Sequence, residues 1–95
     1  MTLRVESTNQ FKRDLRTILR SGSRNIVDLK CVVDMLSSGQ KLPYKYRDHL
    51  LKGDYQGMRE CHINPDWLLV YRVEKDVLVL TLVRTGSHSE LFRNR

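Results

Sequence analysis

The chain has 95 residues and a net charge of +6, from 17 Lys/Arg against 11 Asp/Glu. That length makes one domain, residues 1–95, able to bury roughly 60–65% of its unfolded surface in a modest core. No apolar run reaches the roughly 18 residues of a membrane span and the first residues lack a signal peptide's apolar region, so a soluble cytoplasmic protein is expected.

Thr2–Glu6 alternates apolar and polar residues and predicts a short strand. Ser7-Thr8-Asn9 offers N-caps for a helix running to about Arg20. Phe11, Leu15, Ile18 and Leu19 form its apolar side, with a basic arc of Lys12, Arg13, Arg16 and Arg20 beside it. After Ser21-Gly22-Ser23 a second helix runs from about Arg24 to Ser37, and the short loop predicts an antiparallel hairpin. Ile26, Leu29, Val33 and Leu36 form one stripe of that helix; Val27, Cys31 and Met35 form another. The second stripe is either more core or a groove for a partner.

Ser38-Gly39-Gln40 stops the helix, and Lys41–Asp48 is a loop. Its Tyr44 and Tyr46, with Tyr55, interleave with Lys45, Arg47 and Lys52: a solvated loop, or a surface that stacks bases and pairs phosphates. The apolar period then becomes two. His49–Lys52 predicts a short strand, Gly53-Asp54 a turn, and Met58–Ile63 a strand. The faces of that strand divide into Met58, Glu60, His62 and Arg59, Cys61, Ile63. Asn64-Pro65-Asp66 is a tight turn before the long strands Trp67–Glu74 and Asp76–Arg84, which join near Lys75. The expected fold is α+β, in the order β-α-α-β-β-β-β, with two N-terminal helices packed on a mainly antiparallel sheet.

Charge and imidazoles lie in different halves. Residues 1–48 hold ten Lys/Arg against five Asp/Glu, whereas His49, His62 and His88 all fall in residues 49–95. A positive field favours a polyanion such as nucleic acid, or an acidic protein. Cleaving RNA through its 2′-hydroxyl needs a base, an acid and a cation for the charged phosphorane. His49, His62, Asp66, Arg84 and His88 are side chains of those types, and the Asn64-Pro65 turn is expected to bring His62 and Asp66 together. Cys31 and Cys61 fit no zinc spacing, and no HExxH or H-x₃-H pattern occurs, so no metal and no cofactor are expected.

The run from Tyr46-Arg47-Asp48-His49, through Arg59-Glu60-Cys61-His62-Ile63-Asn64-Pro65-Asp66-Trp67, to Arg84-Thr85-Gly86-Ser87-His88-Ser89-Glu90-Leu91-Phe92 closely resembles the YafQ-type branch of the RelE/ParE toxin superfamily. The resemblance is specific over residues 44–92. It departs at Met58, where an aromatic is frequent, and in the Arg93-Asn94-Arg95 tail. It implies a RelE-like fold and a ribosome-dependent endoribonuclease, the toxin of a type II toxin–antitoxin pair. The implied partners are an antitoxin protein, the ribosome and mRNA, with operator DNA reached only through the antitoxin and no membrane. The implied catalytic residues are His49, His62, Asp66, Arg84 and His88, with Asp66 orienting an imidazole or acting as a second base. Trp67 and Phe92 are the implied supporting aromatics, and Lys52 and Arg59 are expected to touch substrate as well. Lys12, Arg13, Arg16, Arg20, Val27, Cys31 and Met35 are expected to meet antitoxin or ribosomal RNA. Two other functions stay open: a catalytically inactive module that only binds an antitoxin, and a ribonuclease that needs no ribosome.

Overall fold

The computed structural model describes residues 2–92; the Arg93-Asn94-Arg95 tail lies outside them. Strand β1 (Arg4–Ser7) leads into helices α1 (Asn9–Ser21) and α2 (Ile26–Ser37), then β2 (His49–Leu50), β3 (Arg59–Asn64), β4 (Trp67–Glu74), β5 (Val79–Gly86) and a short α3 (His88–Phe92). The sheet order is β1-β5-β4-β3-β2, with β1 parallel to β5 and every other pair antiparallel. This is the expected α+β order with one helix more. Among the described residues no helix is long and apolar enough to cross a membrane.

Local chemistry explains the boundaries. β1 starts later than Thr2 because Leu3 is buried and donates its N–H to Ser37 O at 2.7 Å instead of joining the ladder. Thr8 caps α1, its hydroxyl oxygen accepting from Phe11 N at 2.9 Å, a contact worth about 1 kcal/mol. Asn25 caps α2 in the same way through Val27 N. β5 starts only at Val79 because Lys75–Leu78 is a turn, with Leu78 in a left-handed conformation (φ 55).

The two faces of the sheet are unequal. The face under α1 and α2 joins Phe11, Ile18, Leu29, Val32 and Leu36 to Cys61, Ile63, Trp67, Leu69, Tyr71 and Leu80 in one core. The opposite face holds a small cluster around Leu68, Val70 and Leu91, edged by Met58, Tyr55, Val83 and Phe92. A buried Leu-sized side chain stabilises by about 1.5–3 kcal/mol, so the helix side carries most of the stability and α3 is held by little. The second stripe of α2 divides: Met35 packs on the core, while Val27 and Cys31 are exposed.

Beyond Leu82, β5 runs past the end of β1, and α1 takes over that edge. Thr8 Oγ1 donates to Val83 O at 2.7 Å, and the Asp14 carboxylate accepts from Thr85 N at 3.1 Å.

Candidate active site

The register places chemistry in rows across the smaller face. His49 pairs with Glu60, Glu60 with Val70, and Val70 with Arg84. The next row runs His62, Leu68, Gly86, and His88 begins α3 two residues on. Neighbouring strands lie about 4.8 Å apart, so residues distant in the chain become near neighbours.

Glu60 is the hub of the first row. It is 4% exposed, with His49 Nε2 at 3.4 Å and His62 Nε2 at 4.0 Å from its Oε1. The His49 and His62 rings are 6.5 Å apart. Burial pushes the Glu60 carboxyl above its ordinary pKa; the charges of His49, His62 and His88 draw it down by less. His49 Nδ1 lies 2.7 Å from Arg47 O, and a carbonyl only accepts, so Nδ1 carries the hydrogen. A close Nε2–Oε1 contact then needs one more proton, either on the imidazole or on the carboxyl. Burial of Glu60 shifts that balance toward the proton on the carboxyl, and the imidazole charges shift it back by less. Sequence reasoning missed Glu60 as a site residue, although strand alternation had set it beside His62.

α3 completes the group. Ser87-His88-Ser89-Glu90 is a reciprocal cap: Ser87 N donates to Glu90 Oε1 at 2.7 Å and Glu90 N to Ser87 Oγ at 3.2 Å. This S-x-x-E spacing is the signal that would have found the helix. The His88 ring lies 4.9 Å from Phe92, and Phe92 meets Tyr55 edge-on at 5.8 Å.

Arg84 ends the first row but is committed. The pairing skips Val83, and the Arg84 guanidinium grips Asp14 with two 3.0 Å bonds. Asp14 first, then the Tyr55 hydroxyl, hold it protonated despite partial burial.

Four expected site residues lie elsewhere. Asp66 is on the turn, but its carboxylate faces Arg24 at 3.4 Å, not an imidazole. Arg24 also takes Asp66 O at 2.8 Å, reaches Glu90 at 3.8 Å and lies over the Trp67 ring. Trp67 is fully buried, its indole N–H donating to Thr85 Oγ1 at 2.8 Å; it is core and offers substrate no surface. Arg59 points to the other face of β3, paired with Asp48 at 3.1 Å, where Asp48 also accepts from the Tyr71 hydroxyl. Strand alternation is the reason, since Arg59 and Glu60 must face opposite ways. Lys52 is exposed ahead of a short 3₁₀ turn. On α1, Lys12, Arg13, Arg16 and Arg20 are all solvent-exposed. Among the described residues no group of three or more His, Cys, Asp or Glu is arranged to hold a metal ion.

A family described as "Bacterial toxin of type II toxin-antitoxin system, YafQ" matches residues 3–93. The chain is similar to the mRNA interferase toxin YafQ of Escherichia coli K12, 32% identical over 89 residues that cover 93% of this chain and 94% of that relative. Among solved structures it is similar to a metal-bound toxin from Helicobacter pylori, with 47% identity, a TM-score of 0.85, and coverage of 95% of this chain and 99% of that one. The E. coli DinJ–YafQ toxin–antitoxin complex also contains a similar chain, 30% identical with a TM-score of 0.84, covering 97% of this chain and 99% of that one.

Proposed function

Because this chain belongs to the YafQ family of bacterial type II toxin–antitoxin toxins, we propose that it is an endoribonuclease that cuts messenger RNA in the ribosome of the cytoplasm. The observation that carries the reading is the pair of imidazoles, His49 and His62, set against the buried carboxyl of Glu60, whose pKa the charge of His88 also draws down. A binding module has no need of such a set.

The 2′-hydroxyl of one nucleotide attacks its adjacent phosphorus, one imidazole takes the proton, and another protonates the leaving 5′-oxygen. His88 and one of His49 or His62 form that acid–base pair. The Arg47 carbonyl holds the Nδ1 hydrogen of His49, leaving Nε2 to exchange protons. Glu60 lies beside both rings and offsets the charge an imidazole gains as it takes the proton. Arg84, braced by Asp14, leaves part of its guanidinium to meet the phosphorane, and Phe92 offers a face to one base. Asp66 acts at one remove, through Arg24, which ties the turn to α3.

An antitoxin protein holds the enzyme in check, and the pair represses its own operon, so the chain meets operator DNA only through its partner. The basic arc of α1 and the exposed Val27 and Cys31 suit a small acidic or amphipathic antitoxin.

Single-turnover cleavage on programmed ribosomes tests the assignment. His62→Ala and His88→Ala should each slow cutting by about 10²–10⁴-fold. Near wild-type rates in both variants would refute the acid–base roles, and equal cutting of naked RNA would refute the need for a ribosome.

A further inference from the structure

On its His88 side the imidazole cluster borders the aromatic pair of Phe92 and Tyr55. On its His62 side a cleft of about 640 Å³ opens, lined by Lys45, Tyr46, Arg47, Asn64, Asp28 and His62 itself. That volume falls in the range of about 300–1,000 Å³ typical of ligand sites.

The attack geometry gives the cleft a task. The 2′-oxygen, the phosphorus and the leaving oxygen must fall in line, so the nucleotides on both sides of the bond must be held apart. Phe92 and Tyr55 offer a surface to one of them. We propose that the cleft takes the other: the single-stranded message nucleotide on the His62 side of the scissile phosphate, its phosphate on Lys45 and Arg47 and its base against Tyr46 and the Asn64 amide. This rests on the reading of the chain as an mRNA-cutting enzyme.

Three features support it. Among the described residues, neither Lys45 nor Arg47 has an ion-pair partner, whereas Arg24, Arg59 and Arg84 are all committed. Cations without an ion-pair partner, set beside an aromatic, are the usual grip on single-stranded nucleic acid. Tyr46 packs on the main core, so its ring is held in place, with Lys45 Nζ 5.1 Å from the ring centre. Arg47 is held in a left-handed conformation (φ 50), and its carbonyl is the one that grips His49. One rigid segment thus carries both the cleft's cations and the neighbour of a proposed catalytic imidazole.

The test is a pair of measurements on ribosomes. Lys45→Gln with Arg47→Gly removes both cations, and glycine keeps the left-handed backbone that holds His49. In single-turnover cleavage the half-saturating ribosome concentration should rise about tenfold, with the saturating rate lowered by no more than about threefold. The log–log salt slope of binding should flatten by about 0.7, the share of one phosphate on a single strand. Lys75→Gln, in the turn after β4, should match wild type. The second measurement compares binding to empty ribosomes and to ribosomes holding a message with 2′-deoxyribose at the cleavage position. The double variant should lose affinity only for the loaded ones. Equal loss on empty ribosomes would show the cations facing ribosomal RNA and overturn the proposal, as would an unchanged half-saturation. A wild-type protein that cuts nothing would overturn the enzymatic reading instead, while the deoxy message would still report on the cleft.

Discussion

Burial holds the Glu60 carboxyl above its ordinary pKa of 4.5, against the pull of His49, His62 and His88. A carboxyl whose folded-state pKa is raised favours the folded chain while protonated, below its unfolded pKa. That contribution is lost as pH rises through the raised value. Glu60→Gln should therefore gain in melting temperature over wild type as pH goes from about 4 to about 7. A gap that narrows instead would show the imidazole charges outweighing burial. The same variant should slow cleavage by about 10²-fold or more, because the rings lose the charge that complements them. Alternation along β3 puts Glu60 and His62 on one face from the sequence alone. That Glu60 is buried was not legible, because the burial comes from sequence-distant neighbours. Trp67 shows the converse: its indole hydrogen bond to Thr85 crosses from β4 to β5, so only the assembled sheet reveals it as core.

At the scale of elements, two short pieces hold the proposed catalytic residues in place. α3 is five residues long and leans on Gly86, whose φ of 156 suits glycine. An added Cβ there would meet Glu90 Oε1 at 3.1 Å and Leu91 Cδ2 at 3.4 Å, so the side chains that cap and seat α3 would have to give. Gly86→Ala should destabilise by about 1–3 kcal/mol through the strained backbone and slow cleavage as the Ser87–Glu90 cap beside His88 loosens. Wild-type kinetics in that variant would show that the position of α3 is immaterial. β2 pairs through only two residues, yet Asp48 just before it is gripped by Arg59 and the Tyr71 hydroxyl. Tyr71→Phe should lower stability by about 1.5–3 kcal/mol in denaturant melts and shift the imidazole signals of His49 in NMR spectra. Retained stability with unmoved signals would mean that Arg59 alone suffices. The long strands were legible from β-branched runs, and α1 from its cap. β2 was legible as a short strand, though it ends at Leu50 and not at Lys52, and the Ser87–Glu90 cap is the local signal of α3.

For the molecule as a whole, charge and chemistry occupy different surfaces. The exposed cations of α1 lie on the helix side, and the imidazole cluster lies on the opposite face of the sheet. Under the proposed function, the α1 cations rest on polyanionic ribosomal RNA while the cluster faces the message. Ribosome affinity should fall by about tenfold or more between roughly 50 and 200 mM salt, as counterions released by phosphate contacts demand; a flat dependence would refute the electrostatic contact. Patterns within a few residues determined the element order, the basic arc, the outward and inward faces of β3, and the concentration of histidine in one half, because periodicity and capping are local properties. Tertiary structure alone decided which of those groups meet. The register of β2 on β3 brought His49 to Glu60, strand alternation sent Arg59 away, and the edge of β5 gave Arg84 to Asp14. Those outcomes follow from pairings between strands and helices far apart in the chain, and no local pattern encodes them.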